Sequence, residues 1–255
     1  MRRIHVIGIG AGDPDYVTAQ GIVALNDSSV FFVADKGEAK SDLVELRKTV
    51  CRRFIGHADY RFVELPDPSR AADGDYRQAV TDWHAARADL WAQAIERELP
   101  AECAGAFLAW GDPSLYDSTL RILDLVAQRI DISYDVIPGI TAIQALTARH
   151  GITLNEIGEP VLITTGRRLR ADGLIGTAVV LLDADCAFLT CPAQTRIWWG
   201  AYLGTPEEML IAGTIGEVGQ RIVAERAAAR ARLGWIMDTY LLRGQSCALQ
   251  AQSWS

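Results

Sequence analysis

Three stretches carry residue types that bind ligands or move protons. The first is Gly8-Ile9-Gly10-Ala11-Gly12-Asp13-Pro14. The second is Trp110-Gly111-Asp112-Pro113, with Tyr116, Asp117 and Ser118 close behind. The third is Pro138-Gly139-Ile140-Thr141. Glycine permits sharp turns and lets a ligand come close to the backbone. Asp112, Tyr116 and Asp117 supply the proton-active groups beside such a turn. The alternative for Asp112 is a solvated turn carboxylate. A fourth stretch, Arg167, Arg168 and Arg170 in TTGRRLR, concentrates guanidinium forks that match carboxylates. Its alternative is a solvated basic loop.

The elements that position these groups follow from periodicity. An apolar run over 106–110 stops at Gly111, and Ile122, Leu123, Val126 and Ile130 then recur at helical spacing. Pro113 biases Asp112 toward an extended conformation. Asp112 is thus expected at the carboxyl end of a strand, where open α/β sheets bind ligands. Residues 3–9 and 30–34 read as strands, with a helix between them that presents Val17, Ile22, Val23 and Leu25. A charged helix over 36–51, a strand over 61–65, a turn-rich segment over 66–75 and a helix over 76–99 come next. Val80, Trp83, Arg87, Leu90, Trp91, Ala94 and Ile95 trace one stripe of the last helix. A strand over 132–137 leads to Thr141, which suits the N-cap of a helix over 142–150, and Gly151 suits its C-cap. Parallel strands would gather all three glycine turns on one sheet edge. After a linker at 155–160, strands are expected over 161–164, 177–182, 196–202 and 209–215, a helix over 217–232 and a last strand over 235–242. Two α/β domains are therefore expected, residues 1–156 and 157–255, with a loose tail from 246.

Several functions are disfavoured. Asp13 stands where a dinucleotide-binding loop wants its third glycine, and Asp35 reads as a polar strand end rather than a ribose ligand. This leaves a nicotinamide-dependent reductase as the weaker alternative. The Gly-Lys-Ser/Thr of a phosphate loop is missing. A net charge of −7 on 255 residues argues against nucleic acid as the main partner. No apolar run reaches membrane-span length. Arg2 and Arg3 resemble a signal-peptide start, but the apolar run after them is short and ends at Asp13. Five cysteines read as reduced cytoplasmic thiols. No metal site is expected.

The loops GIGAGDPDYVT (8–18), WGDPSLYDS (110–118) and IPGITAIQA (137–145), in this order, resemble the tetrapyrrole methylase family. Segments DWHAAR (82–87), GEPVLITTGRRL (158–169), WGAYLGTPEE (199–208) and GWIMDTYLLR (234–243) extend the resemblance over nearly the whole chain. It implies two α/β domains with S-adenosylmethionine in the cleft between them, in a cytoplasmic homodimer. The segments point within the family to C-methylation of precorrin-5 at ring carbon one, with the acetyl group at carbon twenty lost as acetate. Another acceptor within the family is the alternative. A non-catalytic cofactor-binding or sensor protein of the same fold is a further one.

The resemblance also implies roles for residues. Ala11, Gly111, Asp112, Thr141, Ala142, Leu182, Ala212 and Gly213 are expected at the cofactor. Gly10, Trp110, Arg167 and Arg168 are expected at the tetrapyrrole substrate. Asp112, Tyr116 and Asp117 are the catalytic candidates, and Asp117 is expected above all as a helix cap. The family commonly has proline at Ala11, and glycine at Trp110 and Asp117. Trp198, Trp199 and Tyr202 are candidates for stacking on the macrocycle, with at least one tryptophan in the core.

Overall fold

The structure, a computed structural model, describes residues 1–34, 41–68 and 76–244. Asp35, most of the turn-rich segment and the tail lie outside these residues. The chain divides into two compact units, Met1–Thr141 and Ala142–Ser255. The division falls fifteen residues before the boundary read from the sequence, because the helix after Thr141 packs on the second unit's sheet.

The first unit holds β1 (Arg2–Gly8), α1 (Ala19–Asp27), β2 (Ser28–Ala34), α2 (Ser41–Phe54), β3 (Arg61–Leu65), α3 (Tyr76–Glu98), β4 (Ala104–Ala109), α4 (Thr119–Ala127) and β5 (Ile132–Ile137). The sheet runs β3-β2-β4-β1-β5 and every pairing is parallel. Both faces are covered, so its strands are nearly continuous apolar runs. On one face Ile4, Val6, Phe32 and Phe107 pack with Trp91, Ile95 and Leu99 of the α3 region and with Ile122, Leu123 and Val126 of α4. On the other, Ile7, Ile9, Phe31 and Leu108 pack with Leu25 of α1 and Val50 and Cys51 of α2. Burial pushes the Cys51 thiol up to about 12, so this cysteine is an inert core residue. Val23, expected on the core face of α1, is 71% exposed. Val17 is buried although it precedes the helix, because a short 3-10 turn, Pro14–Tyr16, comes before α1.

His5 of β1 is a buried polar exception. Its Nδ1 lies 2.6 Å from an Asp135 oxygen and its Nε2 lies 2.9 Å from an Asp27 oxygen. The His5 ring ties β1 to β5 and to the end of α1, and its hydrogen bond holds the Asp27 carboxyl below its ordinary range.

The second unit holds α5 (Ala142–His150), β6 (Val161–Thr165), α6 (Gly166–Asp172), β7 (Thr177–Leu181), β8 (Arg196–Ala201), β9 (Met209–Thr214), α7 (Ile215–Leu233) and β10 (Asp238–Arg243). Its sheet runs β6-β7-β10-β8-β9. β6 and β7 are parallel, and the other pairings are antiparallel. Gly151 has φ +62 and ends α5 as expected. Gly166, expected as a turn, instead opens α6; Thr165 caps this helix by accepting from the Arg168 amide.

A buried polar network organises this unit. The Arg226 Nε donates to Asp238 Oδ2 at 2.7 Å, and its second arm reaches Asp238 Oδ1 at 3.1 Å and the Asp183 carbonyl. Trp199 Nε1 donates to Asp238 Oδ2 at 2.8 Å. Asp183 accepts from the Tyr240 hydroxyl and the Ala187 amide, each at 2.7 Å. Burial, then the Asp183 charge, pushes the Tyr240 phenol up and keeps it protonated as a donor. Trp199 is fully buried and Tyr202 is 3% exposed, so both are core residues and not stacking platforms. Trp198 is only partly buried, with Arg196 and Arg243 guanidiniums 5.3 and 5.0 Å from its ring.

Arg226→Met would leave Asp238 as a buried charge lacking its cation. The expected loss is about 3–5 kcal/mol of unfolding free energy, read by urea titration.

Candidate functional site

The carboxyl ends of β1, β4 and β5 adjoin in the sheet, and each releases one of the glycine turns. The turns meet through backbone groups and, at Asp112, through one side chain. Gly10 and Gly111 form an isolated antiparallel bridge: the Gly111 amide donates to the Gly10 carbonyl at 2.8 Å, and the Gly10 amide donates back at 3.3 Å. A Cβ on Gly8 would sit 2.5 Å from the Gly139 nitrogen, and one on Gly139 would sit 2.0 Å from the Gly111 carbonyl oxygen. No side chain fits at either position, so three loops meet at backbone distance. Gly8 and Gly139 lie in two of the glycine turns read from the sequence, but neither was among the residues expected to touch cofactor or substrate. Gly111 needs glycine for a different reason. Its φ is +69, while an added Cβ would make only an ordinary 3.7 Å contact with Thr141 Cα.

Asp112 clasps these loops. Its Oδ2 accepts from the Gly139 amide at 2.9 Å. Its Oδ1 accepts from the Ser114 amide at 2.8 Å and from the Ser114 hydroxyl. Burial lifts the carboxyl's pKa, but the Ser114 hydroxyl, the Gly139 amide and the Ser114 amide outweigh it and hold it below the ordinary range. Asp112 is thus an anionic strut between the β4 and β5 loops.

The remaining candidates are placed as follows. Gly10 has φ +81 and Ala11 is buried. Trp110 is half-buried just beyond β4. Tyr116 is 47% exposed and held at φ +53, a conformation that costs energy outside glycine. Asp117 Oδ1 accepts from the Thr119 amide at 2.7 Å, the first of α4; the N-cap position itself falls to Ser118, one residue later than expected, and the Ser118 side chain makes no capping bond. Thr141 directly precedes α5, and Ala142 opens that helix.

In the second unit Leu182 follows β7, 67% exposed at φ +53; it is not a core leucine. Ala212 is exposed within β9, opposite Trp198, rather than at the strand's end. Gly213 beside it leaves room for Val218, whose Cγ1 an added Cβ would meet at 2.7 Å. Arg167, Arg168 and Arg170 are all exposed on α6. Arg168 pairs with Asp172 at 2.8 Å, and Arg170 donates to the Asp185 carbonyl at 3.0 Å. Among the described residues no cluster of histidine, cysteine and carboxylate side chains suits a metal ion. No helix among them is long and apolar enough to cross a membrane.

A family model of tetrapyrrole (corrin/porphyrin) methylases matches residues 3–219. The chain belongs to the tetrapyrrole methylase family. It is 49% identical, over 95% of both chains, to a precorrin-6A synthase (deacetylating) of Sinorhizobium sp. The crystal structure of a cobalamin-synthesis-related protein (CobF) of Corynebacterium diphtheriae superposes with a TM-score of 0.82 at 41% identity, covering 95% of this chain and 98% of that one. A uroporphyrin-III C-methyltransferase of Thermus thermophilus, crystallised with S-adenosylhomocysteine, shares the fold with a TM-score of 0.59 at 16% identity over 94% and 97% of the two chains. The tetrapyrrole methylase fold thus accounts for both sheets, and the glycine turns lie on the ligand-binding edge expected of an open parallel sheet.

The lowered Asp112 pKa carries a pH signature. Its stabilisation is complete above the unfolded value, about 4, and is lost as pH falls through the lower folded value. Asp112→Asn should lose about 1–3 kcal/mol at pH 7. The gap to wild type should close on acidification toward pH 2, as followed by denaturant unfolding across that range.

Proposed function

We propose that the chain is an S-adenosylmethionine-dependent C-methyltransferase that converts precorrin-5 to precorrin-6A, methylating ring carbon one and releasing acetate, in cobalamin biosynthesis. The observation that carries this reading is the near-full-length identity with the Sinorhizobium precorrin-6A synthase (deacetylating). The sulfonium methyl is already activated, so the protein's task is alignment and exclusion of water. S-adenosylmethionine supplies the methyl cation equivalent. In the first unit the backbone of the turns around Ala11, Gly111, Asp112 and Thr141 would hold it, and Ala142, which opens α5 of the second unit, follows Thr141 directly. Their fit is chemical: at Gly8 and Gly139 no side chain intervenes, and the Asp112 strut keeps two of the loops in place. In the second unit Leu182, Ala212 and Gly213 are the proposed contacts. The strained, exposed conformation of Leu182 supports its role, since such strain collects at ligand sites.

The substrate carries many carboxylates and the chain is acidic, so local positive charge is needed. We assign that role to Arg167 and Arg168, with Gly10 and Trp110 on the acceptor side of the first unit. The exposed Arg168–Asp172 pair is of the weak kind that a substrate carboxylate can replace. The reading includes a cytoplasmic homodimer, as the family resemblance implies.

The reductase alternative is disfavoured. Asp13 Oδ1 accepts from the Asp15 amide and caps the 3-10 turn, so α1 does not begin at the glycine loop. A dinucleotide pyrophosphate would need that helix start.

S-adenosylhomocysteine at a hundred times its Kd should raise Tm by about 5–10 °C, and NAD should not. Stabilisation by NAD alone would overturn the assignment. Arg167→Ala and Arg168→Ala should raise KM for precorrin-5 with S-adenosylhomocysteine affinity unchanged. That rise should shrink at high salt, where attraction is already screened. Wild-type kinetics in both variants would return α6 to solvent.

A further inference from the structure

The segment that follows Asp112 breaks two local rules. Tyr116 holds φ +53, a left-handed conformation that is unfavourable for a bulky side chain. Arg121 is the third residue of α4, in a first turn that carries no acidic side chain. Aligned amide dipoles make a helix start positive, so a cation there is disfavoured and an acid would be preferred. Neither choice serves folding, and such local conflicts collect at functional sites.

Both side chains are left able to bind. The conformation of Tyr116 is imposed from either side: the Leu115 amide donates to the Asp112 carbonyl at 3.2 Å, and Asp117 accepts from the Thr119 amide. The ring stays 47% exposed, and its hydroxyl has no hydrogen-bond partner among the described residues. Partial burial pushes the phenol up, so it remains a protonated donor at neutral pH. Arg121 is exposed, and its Nη1 donates to the Asp117 carbonyl at 3.3 Å, which sets the guanidinium beside the residue after Tyr116. Arg87, Arg129 and Arg168 each pair with an aspartate, whereas Arg121 has no carboxylate partner among the described residues. Its charge is felt nearby: burial, then Arg121 and Arg87, push the His84 imidazole down. The Asp117 carboxylate is already engaged, by the Thr119 amide and by the charge of Arg47. Positive charge is therefore left over at the start of α4.

We propose that Tyr116 and Arg121 form a carboxylate-binding site that holds one rim carboxylate of the tetrapyrrole substrate. This rests on the function proposed above and adds to it the first unit's charged contact with that substrate. The Tyr116 hydroxyl donates to the carboxylate, and the Arg121 guanidinium donates to it and balances its charge. A carboxylate supplies an acceptor for the phenol and a counter-charge for the arginine at once, which a neutral group would not do. The site lies on the segment that leaves β4 through Gly111 and Asp112, so it belongs to the ligand-binding edge of the first sheet. It also accounts for both broken rules, since the strained backbone presents the phenol and the first turn of α4 places the cation next to it.

The test uses the full chain with precorrin-5 and S-adenosylmethionine at steady state. Tyr116→Phe deletes only the donor, and Arg121→Gln deletes the charge. Each should raise KM for precorrin-5 about 10-fold, as the loss of one hydrogen bond to a charged group does. The change in kcat should stay below about threefold, and S-adenosylhomocysteine affinity within about twofold of wild type. In the double variant KM should rise about 20- to 30-fold, well short of the product of about 100-fold, because both groups hold one carboxylate. Tm should not fall in any of these variants. Tyr116→Gly, which relieves the left-handed strain, should hold or raise Tm while raising KM at least as much as Tyr116→Phe. Wild-type KM in either single variant overturns the site. A KM rise accompanied by lost S-adenosylhomocysteine affinity puts the residue at the cofactor, and one accompanied by a lower Tm makes it structural; either result overturns the site equally. Losses that multiply fully in the double variant mean two separate contacts and overturn the shared carboxylate. Wild-type protein that leaves precorrin-5 unmethylated overturns the parent function, and this site with it.

Discussion

The first unit depends on three backbones meeting without side chains between them. Gly8, Gly111 and Gly139 close the ends of β1, β4 and β5, and two of them have no space for a single methyl group. The Gly10–Gly111 bridge continues hydrogen bonding past the last regular ladder residues. Asp112 then fastens the β4 loop to the β5 loop through the Gly139 amide. The resulting edge consists of backbone amides, carbonyls and one held carboxylate. Such an edge is rigid because each loop limits the other two. It is also open to close ligand approach because side chains are missing where the loops touch.

Charge is handled differently in the interior of each unit. Arginines ordinarily stay on the surface, yet Arg87 and Arg226 are 5% and 8% exposed. Each forks onto one aspartate, Asp67 or Asp238. Around Arg226 the network also recruits Trp199 and two backbone carbonyls. Desolvating such pairs costs about as much as their attraction returns. Their contribution is therefore geometric: each ties segments distant in sequence. Arg226 and Asp238 join α7 to β10, and Asp183 joins the segment after β7 to β10 through Tyr240. Asp183 also sits where a Cβ on Gly166 would be, 2.3 Å from its Oδ1. That crowding explains a glycine at the first position of α6, where the sequence suggested a turn.

Much of the element order was legible. Strands over 61–65 and 132–137 and the helix over 142–150 agree with the structure to the residue, because each has a clear period and turn residues at both ends. The helix α6 escaped notice because seven residues give too short a window for periodicity, and its arginines resemble a basic loop. Helix α7 starts at Ile215, two residues earlier than the pattern suggested, because Thr214 and Glu217 form a capping box. At the site, the glycines, Asp112 and Asp117 were visible as residue types. The fates of the aromatics were not. Alternation along β8 separates Trp198 from Trp199, but only the covering helices and the Asp238 acceptor determine which of the two is buried.

The sequence by itself determined where chain direction changes, which strands could be parallel and which loops lack side chains. These are local properties, set by backbone torsion and by the period of apolar residues. It also carried the motifs by which the family is recognised. Tertiary structure alone decided which polar groups meet. Asp112 reaches an amide 27 residues away, His5 a carboxylate 130 residues away, and Trp91 is left without an acceptor among the described residues. Hydrogen-bond partners at such separations depend on the stacking order of strands, which periodicity leaves open. A carboxylate, an imidazole or an indole in a sequence therefore has no defined chemistry until packing has brought its partner into range.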